Sequence, residues 1–293
     1  MTSLNTEEGK LQAGPFQSTL APEIYEERNV PANHEPKGII QIFKMAFTIP
    51  SDESQQYLDI GCGTGDFTRE WILPSCDPCK RIVAVDFSAS MLEYAKEKYA
   101  HEKIVYEHLD IDGDVTGLLR KYGTFQRVYS FKTLHWSRDL HHSLGNIAQL
   151  LAPGGECLLL FHSRSFLLES FKEICRLEPW SKYADVILQA VPKSQDIVDQ
   201  KGQRDYISSA LSSAGLVPYT TELLTRTVPP QIPTGAFQKL AQIANPVFSL
   251  LSEEEKTAFL ETLSTHLPEW YDSYCKRGGP ILWSSFLVHA RKT

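Results

Sequence analysis

Between residues 56 and 161 the chain keeps switching between two hydrophobic rhythms, and that alternation constrains the fold more than any other feature. Short β-rich runs stand at 56–60 (QYLDI), 81–86 (RIVAVD), 104–109 (IVYEHL), 125–131 (FQRVYSF) and 155–161 (GECLLLF). Helix-like stretches fill the gaps at about 65–73, 89–100, 114–121 and 139–151. Strands separated by helices of about a dozen residues build βαβ units, and hence a parallel sheet. Leu151-Ala152-Pro153-Gly154-Gly155 reads as the stop of the fourth helix and a turn into the fifth strand. Past Ser163 the rhythm changes. Residues 164–203 read as helical, a helix at 204–214 leads through Gly215 into a sixth strand near 216–227, and 231–274 is again helical. Ser252-Glu253-Glu254-Glu255 looks like a capping box, and 281–289 (ILWSSFLVH) is a seventh strand. The expectation is one α/β domain over 1–293 with a seven-stranded sheet. Its core covers about 37–163, 204–228 and 280–293, beginning with a helix at 37–48. Helical cap segments cover about 164–203 and 229–279, and 1–36 form a leader and N-terminal cap.

The first strand runs straight into Asp59-Ile60-Gly61-Cys62-Gly63-Thr64-Gly65. Glycines are needed where a backbone turns tightly or approaches a ligand closely. A loop at the carboxyl end of the first strand of a parallel sheet is where ligands of doubly wound folds lie. A dinucleotide site would read G-x-G-x-x-G and face a pyrophosphate. Here the spacing is Asp-x-Gly-x-Gly-x-Gly, and the leading acid suits a ligand with a cationic amino acid part. Asp86 ends the second strand about twenty residues further on, where an acid accepts hydrogen bonds from ribose hydroxyls; helix N-capping is its competing use. Asp110 ends the third strand, and with Ile111 it can face an adenine amino group over an apolar shelf, against the plainer reading of a solvated loop acid.

Charge and cysteine usage narrow the classes. The chain carries 29 Lys and Arg against 36 Asp and Glu, a net charge of −7, and so lacks the basic face of a nucleic-acid binder. Six cysteines in 293 residues do not make a disulfide framework. Cys157 reads as a small buried hydrophobe. The lone Cys76-Asp77-Pro78-Cys79 pair has no second half for structural zinc and reads as a loop with two free thiols, so no metal is expected. No apolar run approaches the ~20 residues of a membrane span. The start lacks a signal peptide's basic and apolar regions, which points to the cytoplasm.

Asp59 to Gly65, Asp86, Asp110-Ile111 and the turn at Leu150 to Gly155 together resemble the class I S-adenosylmethionine-dependent methyltransferases. The resemblance covers about residues 40–163. It implies a Rossmann-like seven-stranded sheet, mostly parallel, whose last strand runs antiparallel. S-adenosyl-L-methionine is then the cofactor. The implied binding residues are Tyr25, Asp59, Gly61, Cys62, Gly63, Gly65, Asp86, Phe87, Met91, Asp110, Ile111 and Ser130, with the glycine loop against the methionine part.

The stretch after the fourth strand decides which acceptor to expect. Ser130-Phe131-Lys132-Thr133-Leu134-His135-Trp136 contains no Asn/Asp-Pro-Pro-aromatic motif of nucleic-acid amino methylation. The only Pro-Cys, Pro78-Cys79, is misplaced for a cytosine C5 nucleophile, and Asp139 alone cannot make a catechol-type metal site. Residues 130–139 instead resemble the corresponding segment of the juvenile hormone acid O-methyltransferases, and Ala244 to Phe248 with the acidic helix after it is similar to their cap. That resemblance implies esterification of a small hydrophobic carboxylic acid of the farnesoic acid kind, by a monomer or homodimer. Another small-molecule acid, phenol or amine is the alternative acceptor, and a cofactor-binding protein without turnover is the alternative of another class. Trp136 offers an indole N–H for a carboxylate oxygen. His135 comes second, and a core role competes for both. His141-His142 reads as a solvated helix start. Where the family places a Gln near the carboxylate, this chain has Ala32-Asn33-His34, so His34 or Asn33 stands in its place.

Overall fold

The computed structural model describes residues 22–32, 34–225, 245, 247–277 and 283–293. The strands are β1 (Gln56–Ile60), β2 (Arg81–Asp86), β3 (Ile104–His108), β4 (Phe125–Phe131), β5 (Leu151–Ser165), β6 (Leu216–Thr225) and β7 (Trp283–Lys292), ordered β3-β2-β1-β4-β5-β7-β6. β1 to β5 pair in parallel, and β7 runs antiparallel to both of its neighbours, β5 and β6. This is the expected seven-stranded arrangement, with the last strand in the chain as the reversed one.

The central strands read as unbroken apolar runs because both faces of the sheet are covered. Leu58, Val83, Val128, Leu159 and Phe286 pack on one face against Leu144 and Ile147 of helix Leu140–Leu150 and Ile207 and Leu211 of helix Gln200–Ser213. Tyr57, Ile82, Tyr129 and Leu158 alternate to the other face, where Ile40, Ile72 and Leu92 cover them. Helix Leu140–Leu150 starts where Asp139 accepts the amides of His141 and His142. The capping box holds as read: Ser252 and Glu255 bond reciprocally at the start of helix Glu253–Lys276. Helices Phe166–Ile174 and Ala184–Gln189 and the single turns Trp180–Tyr183 and Lys193–Asp196 roof the carboxyl edge over part of the expected cap. Helix Glu253–Lys276 falls in the second expected cap segment, of which 229–244, 246 and 278–279 lie outside the described residues, as do 1–21 of the expected leader and 226–228 and 280–282 of the expected core.

Several local readings change. The helix expected at 37–48 spans His34–Phe43 instead. Residues 151–155 belong to β5, with Leu151 paired to Phe125, but the expected turn survives as a bulge: the register shifts before Glu156 pairs with Arg127, and Gly154 has a φ of 72°. Gly155 makes this possible, since a Cβ there would lie 2.9 Å from Ala152 O and 3.0 Å from Phe125 O. The first crossover helix spans 66–76 and widens to a π turn at Thr68–Ile72. The cysteines of the CxxC sit in the core, Cys76 within reach of the Tyr129 hydroxyl at 3.4 Å.

A buried polar cluster pins the sheet at the end opposite the glycine loop. Glu156 Oε2 lies 2.6 Å from His289 Nε2, and Glu156 Oε1 accepts both the amide and the hydroxyl of Thr48. Burial alone would raise the Glu156 carboxyl, but the His289 and Thr48 hydrogen bonds outweigh it and hold it below the usual value. A depressed carboxylate stabilises above its unfolded pKa and loses that contribution as pH falls through its folded one. Glu156→Ala should therefore cost about 3–5 kcal/mol in urea unfolding at pH 7, by stranding a buried partner. The gap between wild type and variant should shrink below about pH 4.

Candidate functional site

The site forms where β1, β2 and β4 end. The amides of Gly61 and Cys62 both donate to Val85 O, at 2.7 and 3.0 Å, which binds the glycine turn to the end of β2. Gly61, Gly63 and Gly65 all have positive φ, from 55° to 82°. Their free faces differ. A Cβ on Gly61 would fall inside the Thr133 side chain, and one on Gly65 would lie 2.6 Å from Tyr106 Oη and 2.9 Å from Ala95 Cβ. Those two glycines serve the protein's own packing. Gly63 alone meets nothing closer than the Tyr25 ring, at 3.5 Å, so it leaves a cradle beneath that ring.

Asp86 shapes the loop directly. Its Oδ2 accepts the Gly63 amide and its Oδ1 the Ser88 amide, both at 2.9 Å. Each carboxylate oxygen keeps a second lone pair, as hydroxyl recognition requires. The N-cap of helix Ala89–Lys98 is Ser88, not Asp86; the Ser88 hydroxyl accepts the Met91 amide. Met91 is buried at that helix start, and Phe87 is half-buried with its carbonyl 2.9 Å from His108 Nε2.

Asp59 lines a cavity with Tyr25, Gly61, Phe67, Phe131 and Lys132. Burial pushes its carboxyl up to about 7; a hydrogen bond from Thr68 opposes this, while the Asp86 and Asp66 charges add to it. No Lys or Arg forms an ion pair with Asp59 among the described residues. A ligand ammonium would supply the missing countercharge, and the donor set fits an amino acid end. Cys62 is a buried thiol pushed well above its ordinary range, first by burial and then by Asp86.

Beyond β3 the acids are already engaged. Asp110 Oδ2 takes Arg138 at 2.9 Å, its Oδ1 the Asp112 amide, and buried Ile111 lies beside it. Asp112 accepts from Ser137, Ser143 and the Arg138 backbone, and these bonds lock the β3 exit to the segment after β4. Ser130 is fully buried and donates to Ile60 O at 3.0 Å, which sutures β4 to β1.

Of the acceptor-side residues, His135 and Trp136 occupy the single turn Leu134–Trp136, with ring centroids 4.8 Å apart. His135 is 6% exposed, its Nδ1 has no hydrogen-bond partner among the described residues, and burial with nearby His162 and Lys132 holds its pKa well below the ordinary value. Trp136 is half-buried against Leu168, Phe171, Ile187 and Val247 of the roof. His34 is exposed at the first turn of helix His34–Phe43, and Asn33 lies outside the described residues. Residues not singled out in the sequence also shape the site. Phe67, Phe131, Pro36 and Lys132 line the cavity and Thr133 fills the Gly61 notch. Lys132 takes a φ of 58°, a left-handed bend that no local residue pattern announces.

Residues 58–155 match the methyltransferase domain family. The juvenile hormone acid O-methyltransferase of Drosophila melanogaster is 32% identical over 162 residues, covering 55% of this chain and 54% of that protein. Its Bombyx mori counterpart is 30% identical over 142 residues, covering 48% of this chain and 50% of that protein. The chain thus spans about half the length of the curated relatives it matches. Among solved structures, a Galdieria sulphuraria protein assigned as a sarcosine dimethylglycine methyltransferase shares the fold at 13% identity, with a TM-score of 0.54 over 94% of this chain and 92% of that one. The YcgJ protein of Bacillus subtilis does so at 14% identity, with a TM-score of 0.51 over 86% of this chain and 97% of that one.

The buried acid yields a paired expectation. Since folding raises the Asp59 pKa, ionising it above about pH 7 costs folding energy, so Asp59→Asn should raise Tm at pH 8. The same change should weaken S-adenosylhomocysteine, titrated calorimetrically, and remove the gain in affinity that wild type shows as pH rises through about 7. The stretch that matches the methyltransferase domain family, residues 58–155, contains the glycine loop, Asp86 and the segment after β4 that form this site.

Proposed function

We propose that the protein transfers the methyl group of S-adenosylmethionine to the carboxylate of a small hydrophobic acid, of the farnesoic or juvenile hormone acid kind. The observation that carries this reading is Trp136. It follows β4 at the edge of the cofactor region and packs under an apolar roof, so one side chain joins an N–H donor to a greasy wall. The two relatives named for juvenile hormone acid support it, and so does a third, the malonyl-[acyl-carrier protein] O-methyltransferase of Pectobacterium atrosepticum, 32% identical over 107 residues. All three names describe O-methylation.

Bound S-adenosylmethionine supplies an electrophilic methyl group on a sulfonium. The protein's task is placement. Asp59 meets the ammonium of the amino acid end, Gly63 lets the backbone lie against it, and the free lone pairs of Asp86 take the ribose hydroxyls. A carboxylic acid of pKa ~4–5 is ionised at neutral pH, so no general base is needed. Trp136 donates to one carboxylate oxygen and leaves the other in line with the methyl carbon. His135, kept neutral by burial, adds a polar ring without a fixed charge that would bind the anion in place. Orientation of this kind can supply about 7–11 kcal/mol.

A tritiated-methyl assay over farnesoic, fatty and aromatic acids tests the acceptor class: label is expected in base-labile methyl esters. Label confined to phenols, amines or protein would refute it. Trp136→Phe keeps the ring and drops the donor, and kcat/KM for the acid should fall about tenfold or more. An unchanged value would leave Trp136 as a wall only.

A further inference from the structure

The helix that carries Tyr25, Pro22–Ala32, brings that ring against the free face of Gly63. None of its described side chains, Pro22 to Glu27, is buried, and Ile24 is 43% exposed. Hydrophobic burial therefore does not explain why Tyr25 sits 3.5 Å from the free face of Gly63. Its neighbour Glu26 does. The Glu26 carboxylate accepts from the hydroxyls of both Tyr94 and Tyr99, one phenol on each of its oxygens. Tyr94 belongs to helix Ala89–Lys98, and Tyr99 is its C-cap residue. The bond to Glu26 also pushes the Tyr94 phenol up to about 12, so it stays a donor throughout the working range.

The contacts close a ring. Tyr106 Oη, which occupies the space beside Gly65, donates to Tyr99 O at 3.0 Å; Tyr99 Oη donates to Glu26; and Tyr25, next in the chain, covers Gly63. Gly63 and Gly65 are thus linked to each other through Glu26. We propose that Glu26, gripped by Tyr94 and Tyr99, is a positioning residue that latches Tyr25 over the amino acid end of the cofactor. It thereby sets how long the cofactor stays bound, without taking part in methyl transfer. The inference rests on the cavity beneath Tyr25 holding that end. Two charge-assisted hydrogen bonds docking a helix none of whose described side chains is buried make the closed position sensitive to either bond. Opening of such an edge is local and does not require the sheet to unfold.

The test compares wild type with Glu26→Ala, Tyr94→Phe/Tyr99→Phe and the conservative Glu26→Gln, which keeps an acceptor oxygen. S-adenosylhomocysteine binding is read by calorimetry and its release by stopped flow, and the KM for S-adenosylmethionine is read apart from kcat. Glu26→Ala and the double phenylalanine variant should each raise Kd and KM about tenfold or more, mostly through faster release, since each removes both charged hydrogen bonds. Their kcat at saturating cofactor should stay within about twofold, and Glu26→Gln should recover part of the loss. Thermal melts should be nearly unchanged, since the latch adds little to the core. Unchanged Kd and release in both disruptive variants would overturn the latch, as would a fall in kcat at constant KM. A wild type that fails to bind S-adenosylhomocysteine would instead overturn the cofactor reading beneath it, an outcome distinct from loss in the variants alone.

Discussion

The site depends on two adjacent ties between the glycine turn and the end of β2. Val85 offers one carbonyl to two amides, and Asp86 offers one carboxylate oxygen to the amide of Gly63. These bonds fix a loop whose own residues have little side chain to hold it. They also bring a buried acid to the carboxyl edge, where doubly wound sheets place their ligands. The crossover helix, the Tyr25 contact and the cavity all take their positions from that turn.

The division of labour among the glycines follows from the same tie. Pinning the turn to β2 crowds Gly61 against Thr133 and Gly65 against Tyr106 and Ala95, so two of the three are required before any ligand arrives. Only Gly63 keeps an uncrowded face, 3.5 Å from the Tyr25 ring. A motif that looks like a single recognition element is mostly an internal joint, with one position left over for a ligand. Asp59 carries the complementary cost. Its carboxyl sits where folding alone would prefer it neutral, and on the proposed reading an incoming ammonium would offset that cost.

Much of this was legible in the chain because each core strand is a short apolar run set between helical stretches. β1 to β4 fall within a residue or so of where the pattern puts them. The start of β5 was legible only in part. Pro153-Gly154-Gly155 is turn chemistry and does bend the chain, but that Leu151 already pairs with Phe125 before the bulge depends on the neighbouring strand. Within the site, Asp86 was visible as an acid at a strand end, but its bond to Gly63 was not, since it joins residues 23 apart in sequence. Thr133, Lys132 and Phe131 were passed over for a like reason. Their importance comes from a left-handed bend at Lys132 and a notch at Gly61, both products of tertiary packing.

The order of the sheet has a consequence for how the molecule is assembled on the ribosome. β6 pairs only with β7, and β7 is threaded between β5 and β6 although it follows both in the chain. β1 to β5, with the whole glycine turn, can collapse as soon as they emerge. β6 must then wait, with one edge of β5 bare, until residues 283–292 are translated. Long-range antiparallel pairing of this kind is slow to form. During that interval the nascent chain presents an open apolar strand edge, so the cofactor end of the protein matures while its far flank still calls for protection from other chains.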